Sequence, residues 1–429
     1  MIDKTKNNSS EKSQWPQSLA SLNVRQFRWL LISNTLFFLV MQGQFLTRTY
    51  LAWELTHEKM AIANVNLAVA IPMLFAAIVG GAISDRVERR RLIIGGQVIL
   101  LLNECYVLSL IFNDNLTYES LLIASFITGC ILPFLMPART AIIYNIIGPA
   151  GLGNATALSS GTMNLSRVLG PATVGFILEF YGPKGAYMFS VILYIFAILC
   201  MKNVERFHPS VASRKKSLLS DIAQGFGYAI NHRQVLICLL FGLVPMFLVQ
   251  PFQNLLVLFA DEVWHVGERG LGLMLASAGL GGVFGTVYIA RRGENPKRVR
   301  LMILTAFCFA GFLMVFSLSS NFYWALLFLG LANMCAQACS TLNNTSIQLL
   351  VDDSVRGRMS SIMMMSFGLT PLGVLPLVYL AELAGAPMAI VTACCLLVAA
   401  VILFYAFSPT LRSMDRYVRG ALRSKNVSV

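Results

Sequence analysis

Uncharged apolar runs alternate with short polar breaks from about residue 27 to residue 409. The run Ala61–Ser84 carries no charge, and Leu92–Phe112 carries only Glu104. Between them lies a dense turn that includes Asp85-Arg86-Val87-Glu88-Arg89-Arg90-Arg91. So short a link folds two spanning helices into an antiparallel hairpin. Such runs recur at roughly 27–53, 61–84, 91–113, 117–144, 153–181 and 185–202, then at 234–259, 269–291, 299–319, 322–349, 358–384 and 387–409. Each meets the ~17–25 residues that a helix needs to cross a bilayer. The pattern predicts an all-α membrane protein with twelve transmembrane helices in two bundles of six, at 24–202 and 234–409. A polar cytoplasmic tail is expected over 1–23, a cytoplasmic linker over 203–233 and a basic tail over 410–429.

Composition agrees with a lipid bilayer as the solvent. Of 429 residues, 56% are hydrophobic and 12% charged, and mean hydropathy is +0.68. Soluble domains carry about 25% charged residues. The net charge of +13 falls in the breaks and tails, so it reports topology and implies no nucleic-acid partner. With the N-terminus in the cytoplasm, 27 of the 33 Lys and Arg face inward. Lys59, Lys184 and Arg269 face outward, and Arg48, Arg139 and Arg167 lie within spans. That asymmetry assigns both termini to the cytoplasm. The outer side is acidic instead, with Glu54, Glu58, Asp114, Glu119, Asp261, Glu262 and Glu268. The first 23 residues lack the apolar core and cleavage site of a signal peptide.

The halves repeat with an offset of 204 residues. Gly81 maps onto Gly285, the basic turn Arg86–Arg91 onto the turn around Arg291-Arg292, and Gly153-Asn154 onto Gly357-Arg358. The second copy is eroded, with Ile289 in the place of Asp85. Parallel repeats of six helices with a site between them are a recurring transporter design.

The spacing Gly-x-x-x-Asp-Arg-x-x-Arg-Arg, carried by Gly81, Asp85, Arg86, Arg89 and Arg90, resembles the signature loop between helices 2 and 3 of the major facilitator superfamily. Glu88 stands where that family usually has a glycine. The segment Asp352–Ser360 looks like the loop before helix 11 in many facilitators. Asn23–Leu30, Tyr50–Thr56, Pro137-Ala138-Arg139 and Asn154-Ala155 resemble the branch of the enterobactin exporter, macrolide efflux proteins and related secretion transporters. Ser166–Gly175, through Gly170, Pro171 and Gly175, is similar to the Gly-Pro motif of exporters that work as antiporters; Ser166 and Val174 replace two family glycines. The resemblance covers about 23–407. It implies a gating latch made by the signature loop, with Asp85 at the positive end of a neighbouring helix and Arg139 as its contact on span four.

The intramembrane charges are the sharpest candidates for chemistry. Arg48, Glu104, Arg139 and Arg167 each interrupt an apolar span. A charge near the bilayer centre costs ~2.5–3.5 kcal/mol even on lenient scales, so each should face a partner or water. Glu104 and Arg167 both lie roughly 20 Å from the cytoplasmic ends of their spans at 1.5 Å per residue. Glu104 is the one carboxylate deep in a span. It serves either as a proton-coupling group or as a static partner of Arg48 or Arg167.

The resemblance further implies a substrate route lined by spans one, four, seven and ten. The candidates are Asn34, Gln42 and Gln44; Gln250, Gln253 and Asn254; and Asn333, Gln337, Asn343 and Asn344. Their amides offer donors and acceptors without fixed charge, and Phe45, Phe247 and Phe252 offer faces for a planar ligand. Interhelical hydrogen bonding uses the same residue types. Met363-Met364-Met365 adds a soft surface suited to packing. The nine cysteines fall in apolar runs without metal-ligand spacing, the four histidines form no cluster, and no phosphate-cradling Gly-x-x-x-x-Gly-Lys motif occurs. No cofactor and no enzymatic activity are expected. The reading is a monomeric, proton-coupled exporter of an amphipathic small molecule, such as a siderophore or drug, in the bacterial inner membrane. A lipid or lysolipid transporter is the alternative, with an apolar slot open to lipid as its mark. A non-transporting sensor or scaffold is the second alternative, with a filled centre as its mark.

Overall fold

The computed structural model describes residues 17–84, 87–206, 227–292, 298–351, 370–412 and 415. Asp85 and Arg86 of the signature loop, most of the linker, the loop before helix 11, Met363–Met365 and most of the basic tail lie outside the described residues.

The described residues open with a 3₁₀ turn at Gln17–Asn23, followed by α1 (Arg25–Thr56), α2 (Lys59–Ser84) and α3 (Arg89–Phe112). A helical run then extends over Tyr118–Lys202, with a Thr117/Ser120 capping box at its start. Gly148 (φ 72°) and Gly182 (φ 61°) interrupt it, each followed directly by a proline. Positive φ is open to glycine at no steric cost, and proline suits the first helical position because its missing N–H has no partner there anyway. The two bends divide the run into α4 (118–147), α5 (149–181) and α6 (183–202).

The second half begins with α7, regular over Arg233–Leu248. Pro251 removes the amide that would bond the Phe247 carbonyl, and the chain tightens into a 3₁₀ segment over Gln250–Leu255. It then widens into a π turn at Phe259–Val263. The expected straight span at 234–259 is therefore broken at its middle. Next come α8 (Gly267–Arg292), α9 (Arg298–Leu318) and α10 (Phe322–Leu350). The last run, Val374–Phe407, bends at Gly385 (φ 83°) into α11 (374–384) and α12 (386–407).

Nine helices among the described residues are long and apolar enough to cross a membrane. One of these, Asn154–Lys202, is 49 residues long, more than twice what a bilayer needs, and the bend at Gly182 makes it two passes. That makes ten; the expected twelve also needs α2, which is described as a shorter apolar helix over Lys59–Met73, and α11, whose approach, residues 352–369, lies outside the described residues.

Two large apolar cores and a smaller third cluster organise the packing. One, with Phe27, Phe37, Ile93, Leu135, Ile142 and Tyr194, belongs wholly to the first half. The other fills the second half and recruits Leu46, Trp53, Ile62, Val174 and Leu178 from α1, α2 and α5. Close helix approach uses small residues. A methyl group on Gly285 would strike the Met334 carbonyl of α10, so this counterpart of Gly81 does let a neighbouring helix come close. Part of the N-terminal tail is also fixed: Ser21 is buried, and its amide donates to Asn154 Oδ1 at 3.0 Å.

Candidate functional site

At the basic end of the first half, the described part of the signature loop ties helices together. Arg89 donates to the Ala141 carbonyl at 3.2 Å and to the Asn145 side chain, both on α4. Arg90 donates to the Lys202 carbonyl at 2.6 Å, at the end of α6. Glu88 has φ −59°, so the turn needs no glycine there, and its carboxylate pairs with Arg91 at 2.9 Å. Gly81 lies in the last turn of α2. The expected Asp85–Arg139 contact lies outside the described residues. Arg139 itself is buried, bonded to Asn34 Oδ1 on α1, and stacked 3.9 Å above the Phe37 ring.

Arg48 and Glu104 meet in the interior of the first half. Arg48 Nη2 donates to Glu104 Oε1 at 2.8 Å, with side-chain exposures of 6% and 2%. Arg48 Nη1 donates to Thr128 Oγ1 at 2.8 Å, and Asn103 Nδ2 donates to the Ala124 carbonyl at 2.9 Å. The cluster stitches α1, α3 and α4 beneath an apolar cap that includes Leu51, Val107 and Tyr187. It belongs to one half only.

Between the halves lies a cavity of about 550 Å³. Its walls include Gln42 and Phe45 of α1, Gln250 and Gln253 at the break in α7, and Asn333, Gln337, Asn343 and Asn344 of α10. Gln250 and Gln253 stand three residues apart, so they share one face of the 3₁₀ segment and both amides reach the cavity. Three candidates turn elsewhere. Asn34 is taken by Arg139, Gln44 Nε2 donates to Ser190 Oγ at 2.7 Å on α6, and Asn254 Nδ2 donates to the Pro251 carbonyl at 3.1 Å. Among the described residues α4 contributes nothing to the wall, contrary to expectation. Its place is taken by α5, through Ser160, Met163, Arg167 and Pro171, with α8 and α9 adding Gly279 and Phe309.

The Gly-Pro motif explains the substitution. A methyl group on Gly170 would lie 3.0 Å from both Gln42 Cβ and the Leu39 carbonyl, so α5 presses directly on α1. One turn on, a methyl on Gly175 would lie 2.6 Å from Gly272 Cα of α8, and one on Gly279 would lie 2.8 Å from Val168 Cα. The motif residues thus form a backbone-to-backbone seam between the halves, on the acidic side of the cavity.

Beyond that seam the halves are tied by polar contacts. Trp53 Nε1 donates to Asp261 Oδ2 at 2.8 Å, and the Tyr50 hydroxyl donates to Glu268 Oε1 at 2.6 Å. Lys59 pairs with Glu262 at 3.0 Å, and Arg269 with Glu179 at 3.8 Å. Sequence reasoning registered these carboxylates as topology and missed the ties. Their aromatic donors lie more than 200 positions away, and only the repeat offset hints at that pairing.

An all-helical membrane protein whose two halves close round a central cavity lined by apolar side chains and several amides has the architecture of a major facilitator transporter. The family model described as transmembrane secretion effector matches residues 16–427, and the chain belongs to that family. It is 25% identical to the staphyloferrin A transporter of Staphylococcus aureus over 358 residues, 81% of this chain and 88% of the relative. It is 25% identical to the multidrug efflux pump Tap of Mycolicibacterium fortuitum, over 75% of this chain and 80% of the relative. The enterobactin exporter of Shigella boydii matches at 25% identity over 70% and 72%. Among solved structures, the nucleoside transporter NupG superposes with a TM-score of 0.69 at 13% identity, covering 89% of this chain and 98% of that one. A bacterial homologue of the lysosomal transporter Spinster, described as inward-facing and unoccupied, superposes with a TM-score of 0.64 at 14% identity, covering 92% and 98%. The relatives are transporters of small molecules, and the solved structures share the fold.

Proposed function

We propose that this protein exports an amphipathic small molecule, siderophore-like or drug-like, across the bacterial inner membrane by proton-coupled alternating access. The observation that carries the reading is the central cavity, lined by amides from both halves and tied shut at one end. Amides from both halves and Arg167 in the wall disfavour a purely apolar lipid slot, and an open centre disfavours a scaffold. The names of the relatives, a staphyloferrin A transporter, an enterobactin exporter and multidrug pumps, support an amphipathic cargo. The acidic end is taken as the outside, so the described form is open inward. The bodies that rock are residues 24–202 and 234–409, and one chain suffices because the cavity lies within it.

In this cycle cargo enters from the cytoplasm among the amides of α1, α7 and α10. The ties of Tyr50, Trp53 and Lys59 then release as the basic end closes through the signature loop. Glu104 is the candidate proton carrier, with its pairing to Arg48 as the interaction that a proton would interrupt. Deletion of the gene, followed by mass spectrometry of cells and medium, is expected to trap inside the cell a small molecule that the wild type secretes. An unchanged secretion profile, combined with no proton-driven uptake of drug probes by everted vesicles, would count against export. Reporter fusions at Ser9 and Ser424 are expected to give cytoplasmic signals, as the charge asymmetry requires; a periplasmic signal at either would overturn the orientation.

A further inference from the structure

Four charged side chains interrupt the spans of the first half, and the structure treats one of them differently. Arg48 is neutralised by Glu104, and Arg139 is held by Asn34 and Phe37. Arg167 has no ion pair or hydrogen bond among the described residues. It lines the central cavity, one turn before the Gly170-Pro171 contact that fixes its helix against α1. Among the described residues it is the sole charged group in that wall; the other polar groups are amides and hydroxyls. Among the described residues the cavity therefore carries one uncompensated positive charge.

Leaving a cation in the middle of a membrane protein is costly unless water or a counter-charge meets it. In the empty cavity water can serve. When cargo displaces that water, the guanidinium needs an anion. Its planar fork of donors fits a carboxylate through two parallel hydrogen bonds. One guanidinium balances one carboxylate, whereas a phosphate dianion would leave a negative charge without a partner. The volume of about 550 Å³ suits one small organic molecule.

We propose that Arg167 is the anchoring group for a carboxylate-bearing cargo, with Gln42 and the α10 amides reading the uncharged remainder. This rests on the export reading above, and the two can fail separately. The test uses full-length protein with three probes sharing one fluorophore: dansylglycine, dansylglycinamide and dansylcadaverine, which are anionic, neutral and cationic. Wild type is expected to bind dansylglycine about tenfold tighter than dansylglycinamide, a difference of about 1.4 kcal/mol, and dansylcadaverine weakest. Arg167→Gln should erase the preference and Arg167→Lys should keep most of it, which separates lost charge from lost folding. Equal affinities in wild type, or a preference that survives in Arg167→Gln, overturn the proposal.

The cavity's charge is also read without any cargo. Ser160→Cys, in a background in which the native cysteines are replaced by serine, is treated with sulfonatoethyl and trimethylammonioethyl methanethiosulfonates. Arg167 should raise the anionic-to-cationic rate ratio about tenfold over Arg167→Gln, because a charge about two helical turns away in a confined, partly hydrated chamber is screened less than in bulk water. Identical ratios overturn the proposal whether or not a probe binds. If everted vesicles accumulate no probe while both readouts keep the anion preference, the export reading fails and the anion site stands. If probes accumulate regardless of charge, export stands and the anion site fails.

Discussion

The interior of the first half and the seam between the halves use charge in opposite ways. In the interior, Arg48 and Glu104 lie 2.8 Å apart, almost wholly enclosed, with a second arginine donor taken by Thr128. At the seam the ion pairs are longer or wetter: Lys59 and Glu262 keep 21% and 34% of their side-chain exposure, and Arg269 keeps 66%. Enclosed pairs are costly to break because the partner left behind cannot reach water. Half-exposed pairs break cheaply, since water takes over each charge. The protein therefore places its enclosed charge pair inside one half and its exposed charge pairs between the halves. The proposed rocking cycle needs the second kind at the seam.

The sharpest way to break the comparison is Glu104→Gln. If the pair is structural, it leaves Arg48 buried and unpaired, with an expected loss of about 3–5 kcal/mol, read as a fall in thermal stability and expression. Arg48→Leu in the same chain should then restore both stability and transport. If Glu104 carries the coupling proton, the double variant should fold but show no cargo-dependent proton flux in proteoliposomes.

Next in size is Gly175→Val at the seam. Its Cβ alone would sit 2.6 Å from Gly272 Cα, backbone that has nowhere to yield. Transport should fall more than tenfold with expression retained, and a membrane-impermeant thiol reagent outside should reach a cysteine placed at Ser340. An unreactive cysteine would show that the seam does not seal the acidic side. Asp85→Asn comes third. It removes a charge and keeps the side chain's size, so transport should drop several-fold while insertion stays normal; wild-type rates would remove the latch from the proposed cycle. Smallest is Lys59→Met, which deletes one half-exposed pair and should change stability by no more than about 1 kcal/mol. A larger loss would mean that the seam is built like the interior.

Much of this was legible in the sequence, and the omissions share a cause. Span positions follow from runs of apolar residues, and the bends at Gly148 and Gly182 follow from Gly-Pro pairs. The four intramembrane charges were visible as expensive exceptions. Their partners were not, because a charge on a helix faces one of several neighbours according to helix rotation. Glu104 had two candidate arginines and took Arg48. The amides show the same limit: Asn343 and Asn344 line the cavity while Gln44 bonds Ser190, and nothing in residue type separates them. The role of α5 in the wall needed the Gly170 contact, whose meaning depends on which helix lies opposite.

Arg167 gives the chamber an electrical character. A chamber wetted from one side takes the potential of that side. In the proposed cycle, in which the basic end shuts as the acidic end opens, the guanidinium passes from the cytoplasmic potential to the external one without leaving its helix. For a full elementary charge this amounts to about 2.3 kcal/mol per 100 mV. Under the export and anion-site proposals, an inside-negative membrane would draw the empty carrier back to its loading position, whereas a bound monoanion would cancel the bias and let the loaded carrier turn outward unopposed. The voltage would then act on the return stroke alone.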